Sequence, residues 1–139
     1  MAKGKVIAIV IVSLIVTAAV SFGIVFMFTF GMVGESFEFY YKPETVQSSE
    51  NLSLNSDFGN IEIKYNSTPT ENVIAINVDA KLSGAFLAGR SFSEFFKNPE
   101  FLNGTSDPVK KFTFERRSTV WFLVFSTRFN ISVTLRTDV

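Results

Sequence analysis

The chain has 139 residues, 13 of them basic and 13 acidic, and it contains neither Cys nor His. Zero net charge removes the bulk field that would draw in nucleic acid. The missing imidazole and thiol remove the usual neutral-pH acid–base, the commonest metal ligand and the thiolate nucleophile.

Residues Val6 to Val33 run for 28 positions without a charge, where about 20 apolar residues suffice for a helix to span the hydrocarbon core. One transmembrane helix is therefore expected at 6–33, behind a cytoplasmic tail at 1–5. The surplus length allows tilt, or a helical turn above the bilayer. Lys3 and Lys5 precede the run, and Glu35 and Glu38 follow it. By the positive-inside tendency the N-terminus is cytoplasmic and the rest of the chain extracytoplasmic. Two processing alternatives stand beside a retained single-pass anchor. Val6 to Val16 followed by Thr17-Ala18-Ala19 has the form of a signal peptide, yet the apolar run continues for another 14 residues. Lys3-Gly4 ahead of a long apolar helix resembles the cleavage site of archaeal pilin-like proteins, to which Lys5 is a poor fit.

Phe37, Phe39, Tyr40 and Tyr41 come next. They suit an aromatic belt at the outer interface or the start of a domain core. Pro43 and the polar run Gln47-Ser48-Ser49-Glu50 break any continuing helix, so residues 34–50 are expected to form a juxtamembrane strand and linker. Beyond them, residues 51–139 suffice for one small domain. Setting aside Lys3 and Lys5 leaves 11 basic against 13 acidic residues outside, an ordinary soluble surface.

A period of two then sets in. Leu52 and Leu54 alternate with polar residues, and Asp57-Phe58-Gly59-Asn60 signals a turn. Ile61, Ile63 and Tyr65 alternate with Glu62 and Lys64, and Asn66 to Thr70 is a second turn. Ile74, Ile76, Val78, Ala80 and Leu82 alternate in turn, so each run predicts a strand with one buried and one wet face. Residues 83–108 lose the strand period. Within them Ser91-Phe92-Ser93-Glu94 has capping-box spacing, and Phe92, Phe95 and Phe96 share one face of a short helix. Strands resume at 112–116, at 120–125, where both faces are apolar, and at 129–135. The sequence stops at Val139 as if in mid-fold. The fold class expected is an N-terminal transmembrane helix followed by an all-β ectodomain, a solenoid or a sandwich, with a short helical insertion.

The segment Leu52-Ser-Leu-Asn-Ser-Asp-Phe-Gly-Asn-Ile-Glu-Ile-Lys resembles the opening of adhesin-type β-solenoid ectodomains of bacteria and archaea. Asn130-Ile-Ser-Val-Thr-Leu-Arg-Thr-Asp-Val looks like the lead-in to further rungs. The resemblance covers about residues 50–82 and 126–139 and implies a cell-surface solenoid behind a membrane helix, extending past Val139. Residues 83–125 depart from it.

Four Asn-x-Ser/Thr acceptors, at Asn51, Asn66, Asn103 and Asn130, agree with an outward-facing domain and are also ordinary turn chemistry. Phe92, Phe95, Phe96 and Phe101, with Phe86 nearby, are either an exposed apolar contact patch or a roof over the core. Lys110-Lys111 and Arg116-Arg117 offer a modest cationic cluster, or a strand edge guarded by charge. Neither Glu94 and Glu100 nor Asp57 and Glu62 are marked out as a catalytic pair, and no phosphate-cradling Gly loop with Lys occurs. The chain therefore reads as a non-enzyme without cofactor, metal or small-molecule substrate. The expected partners are the bilayer, through 6–33, and a second copy, through a sheet edge left open at Val139. A pilin-like filament subunit and a small accessory subunit of a membrane complex are the alternatives.

Overall fold

In the computed structural model, residues 2–45, 50–68, 72–104, 108–117 and 124–137 are described. Helix α1, Ala2–Thr29, is followed by seven strands: β1 Gly31–Tyr41, β2 Asn51–Ser56, β3 Asn60–Asn66, β4 Ile74–Gly84, β5 Glu100–Leu102, β6 Val109–Phe114 and β7 Val124–Arg136. A single 3-10 turn, Phe92–Glu94, lies between β4 and β5.

The 28 residues of α1 reach about 42 Å at 1.5 Å per residue. From Val6 onward its apolar side chains lie on every face and are mostly exposed, Ile9, Leu14, Phe22 and Phe28 among them. Such a helix has no face to lay on a core. It is long and apolar enough to cross a membrane, and it lies near the N-terminus, where a signal sequence would also lie.

The helix ends four residues before the expected boundary at Val33. Thr29 Oγ1 donates to the Val25 carbonyl at 2.7 Å, satisfying one acceptor of the last turn. Thr29's own carbonyl accepts from Ala88 N at 3.2 Å. Gly31 then passes so close to residues 87–88 that a Cβ there would lie 2.4 Å from Ala88 N. Residues 31–41 are consequently strand, and the stretch expected as a linker at 34–50 begins inside the larger sheet. Hydrophobicity alone does not separate the end of an apolar helix from a buried strand. Val33 belongs to the domain core, as do Tyr41 and, partly buried, Phe37 and Phe39. Three of the four aromatics thus begin the core, and the fourth, Tyr40, is exposed.

The larger sheet has the order β1-β4-β7-β3 and the smaller β2-β6-β5. In the larger, β1–β4 and β4–β7 are antiparallel, while β3–β7 is parallel. In the smaller, β2–β6 is parallel. The chain therefore crosses from the smaller sheet to the larger twice, through a strand–turn–strand arch from β2 to β3 and again from β6 to β7, with β2 parallel to β6 and β3 parallel to β7; residues 118–123, between β6 and β7, lie outside the described residues. Two sheets with a shared core result; among the described residues there is neither a closed barrel nor a solenoid. The expected strand at 120–125 falls mostly outside the described residues.

At the turn of the first arch Gly59 has φ +93°, and a Cβ there would sit 2.8 Å from Phe129 Cβ. Left-handed backbone and close approach both require Gly at this position. Asp57 fixes the same turn to the end of β6: its N–H donates to the Phe114 carbonyl at 3.2 Å, and its Oδ2 accepts from Arg116 N at 3.2 Å.

Aromatic rings fill the space between the sheets. Phe58 lies 4.8 Å from Phe114 and 4.6 Å from Phe129, centroid to centroid, and Phe39 lies 6.0 Å from Phe112. Phe96 is 1% exposed, 4.7 Å from Phe92 and 5.4 Å from Phe129. Phe95 is buried, and Phe101 packs against the core. The expected contact patch is therefore the roof of the core. Burying each large ring removes far more apolar area from water than a surface position can.

Candidate binding edge

The alternating pattern of the larger sheet puts Phe39, Ile76, Val133 and Ile63 in one row across its inner face, from β1 to β3. Phe37, Val78, Ile131 and Ile61 form the next row, and Tyr41, Ile74, Leu135 and Tyr65 the third. Along the first, Ile76 and Val133 are both 0% exposed, whereas Ile63 is 46% exposed. Ile61 and Tyr65 are 40% and 69% exposed. The smaller sheet has three strands against the four of the larger. Leu52 and Leu54 of β2 are half-buried against the core, but Ile61, Ile63 and Tyr65 lie outside that cluster.

β3 is also the last strand in its sheet. Among the described residues, no strand pairs with its far side, leaving a row of backbone donors and acceptors to the solvent. Its wet face carries Asn60, Glu62, Lys64 and Asn66. Lys64 Nζ lies 3.2 Å from Glu62 Oε2, and both side chains are more than half exposed, so this ion pair contributes little to the monomer. A cleft of ≈ 400 Å³ lined by Phe58, Gly59, Asn60 and Arg116 flanks one end of β3, and one of ≈ 280 Å³ lined by Leu52, Tyr65, Leu135 and Arg136 flanks the other.

The opposite edge, β1, differs. Glu35 stands on its inward row beside Ala80 and is exposed, a charge that makes another strand unwelcome there. On the wet face Tyr40 Oη donates to Glu38 Oε2 at 2.8 Å, and that hydrogen bond raises the phenol's pKa above its ordinary value.

Among the described residues the last strand, β7, does not offer the open edge. β7, which ends at Arg136, is interior, held between β4 and β3; Val139 lies outside the described residues. Sequence reading missed this because the parallel β3–β7 pairing joins segments some 70 residues apart, a distance over which local pattern is silent.

The remaining candidates are scattered. Asn51 is exposed on β2, and Asn130 on the wet face of β7. Asn66 Oδ1 accepts from Thr68 N at 2.9 Å, and Asn103 Nδ2 donates to the Tyr40 carbonyl at 3.1 Å. Thr105, the third residue of the Asn103 acceptor, lies outside the described residues. The basic cluster does not form one patch. Lys110 is 2% exposed; its Nζ donates to the Gly104 carbonyl at 2.9 Å and lies 4.9 Å from the centre of the Tyr41 ring. Arg117 Nη1 donates to the Ser93 carbonyl at 2.9 Å.

Glu94 is tied down locally. It accepts from Arg90 Nη1 at 2.7 Å and from Ser91 N at 3.1 Å, the Glu half of the expected capping box. The Arg90 guanidinium, helped by the Ser91 backbone, holds its carboxyl below the usual range. Lys97 is held above its ordinary pKa by its hydrogen bond to Glu115. Among the described residues no three acidic, His or Cys side chains come together to hold a metal. Comparison of the chain with family models, with curated proteins and with solved structures returns no match.

Proposed function

We propose that this chain is a single-pass, membrane-anchored surface protein whose outward β-rich domain works without chemistry, by binding along the open edge of β3. The observation that carries the reading is the set of exposed inner-face residues Ile61, Ile63 and Tyr65 on a strand that, among the described residues, has no neighbour on its far side. An added strand would satisfy the backbone groups and cover the apolar row together, which is the mode of β-augmentation. The exposed apolar α1 supports an anchor, and Lys3 and Lys5 support a cytoplasmic N-terminus.

An adhesin-type reading draws its support from the two parallel pairings, β2 with β6 and β3 with β7, since parallel stacking of successive strands is what a solenoid repeats. Antiparallel β1 and β4 depart from that plan, and the domain is better described as a small two-sheet sandwich. The filament reading loses part of its support, because residues 31–33 of the surplus apolar length belong to β1.

The test compares the full chain with Ile63→Lys in native membranes, by alkaline carbonate extraction and by native electrophoresis after mild detergent. Both proteins should stay in the membrane pellet. The unaltered chain should migrate in a complex larger than itself, and the variant should not. Identical migration of the two would remove β3 as the binding edge; release by carbonate would remove the anchor.

A further inference from the structure

We propose that the occupant of the β3 edge is a second copy of this chain, paired antiparallel through β3 about a two-fold axis at Ile63. This rests on β3 being the binding edge and names its partner. The order of residues along the strand points to this pairing. Asn60-Ile61-Glu62-Ile63-Lys64-Tyr65-Asn66 is self-complementary when reversed upon itself. Ile63 meets Ile63 of the other copy, Ile61 meets Tyr65, Glu62 meets Lys64, and Asn60 meets Asn66.

Each pairing is of a kind that stabilises antiparallel strands. Apolar and aromatic side chains directly opposite one another attract, opposite charges opposite one another attract, and like charges repel. On the inner face the three exposed apolar residues of one copy would continue into the three of the other. On the wet face the Glu62–Lys64 pair, now within one strand, would be doubled into two cross-strand pairs. A shift by one residue would send Ile63 to the wrong face. A shift by two would take the Glu62–Lys64 pairing out of register.

No other edge strand among the described residues has this property. β1 carries two carboxylates, Glu35 and Glu38, and no base; β2 carries no charge; β5 is three residues long. Pairing through β3 would leave β1 at both outer edges of a continuous eight-stranded sheet, each guarded by Glu35. The assembly would close at two instead of growing, as an isologous contact requires.

The absence of Cys makes the register directly testable by single-cysteine cross-linking of the detergent-extracted full chain. Facing residues of an antiparallel pair have Cα atoms about 4.5–5.5 Å apart, within disulfide reach. Ile63→Cys should therefore cross-link to itself. Ile61→Cys and Tyr65→Cys should each fail alone, because position 61 of one copy lies about 13 Å along the strand from position 61 of the other. Mixed together they should give the 61–65 heterodimer. Leu102→Cys, exposed on β5, is the control for random collision. A failure of Ile63→Cys to cross-link above that control overturns the proposal. If Ile63→Lys still dissolves the native complex in that case, β3 remains the binding edge and the partner is another protein.

Charge exchange gives a second, independent reading. Glu62→Lys alone, or Lys64→Glu alone, places like charges opposite each other twice and should weaken the dimer about tenfold or more. The double exchange should restore it, and an equimolar mixture of the two single variants should associate while neither does alone. Both substitutions sit on exposed side chains, so loss of fold does not imitate this pattern. Equal association of all four proteins contradicts the register.

Discussion

β3 and β4 are written in the same alphabet and end in opposite environments. Each alternates Ile with polar residues, and each predicts a half-buried strand. Yet Ile76 is 0% exposed, and its row-mate Ile63 is 46% exposed. What separates them is position in the sheet. β4 has a strand on either side, whereas β3 is the last strand of its sheet. Alternation fixes which side chains share a face; it does not say whether anything lies over that face. An apolar row that the monomer leaves uncovered points to a surface made to be covered by something else.

Matched substitutions sharpen the contrast. Ile76→Ala should cost about 2–5 kcal/mol in the chemical unfolding of the outer domain, by lost transfer energy and a cavity between two sheets. Gly59→Ala comes next, at about 1–3 kcal/mol, because it forces a Cβ onto left-handed backbone and against Phe129. Denaturant midpoints with unchanged slope would check both. Ile63→Ala should cost under about 1 kcal/mol of monomer stability while reducing association. If Ile63→Ala destabilises the monomer as much as Ile76→Ala, the row is covered after all and the contrast between the strands collapses.

The smallest effect concerns Glu94. Its folded pKa lies below the ordinary value, so its contribution to stability is present above the unfolded pKa and is lost as pH falls through the folded one. Glu94→Gln should thus lower the thermal midpoint slightly at pH 7, and the difference from the unaltered chain should shrink below about pH 4. A difference of the same size at acid pH would show that the carboxylate's charge is not what matters there.

Much of the architecture was legible. The apolar run announced α1; the period of two announced β2, β3, β4 and β7; and Ser91-Phe92-Ser93-Glu94 announced the helical turn. Two kinds of feature were not. One is the end of α1, because Val33 is apolar for the sake of the domain core and not of a bilayer. The other is partnership between distant strands. The β3–β7 pairing that makes β3 an edge, and the inward turn of Lys110 from a sequence-adjacent basic cluster, depend on which segments meet in space. The three-residue β5 was too short to show a period. The Phe group was readable as core from residue type alone, and its 1%-exposed Phe96 bears that reading out.

The central claim is that β3 pairs with itself about Ile63, and cross-linking of the Ile63→Cys full chain tests it most directly. A disulfide-linked dimer should form from Ile63→Cys alone, and from Ile61→Cys with Tyr65→Cys only when the two are mixed. No cross-link above the Leu102→Cys control, or equal cross-linking at all positions, would contradict it.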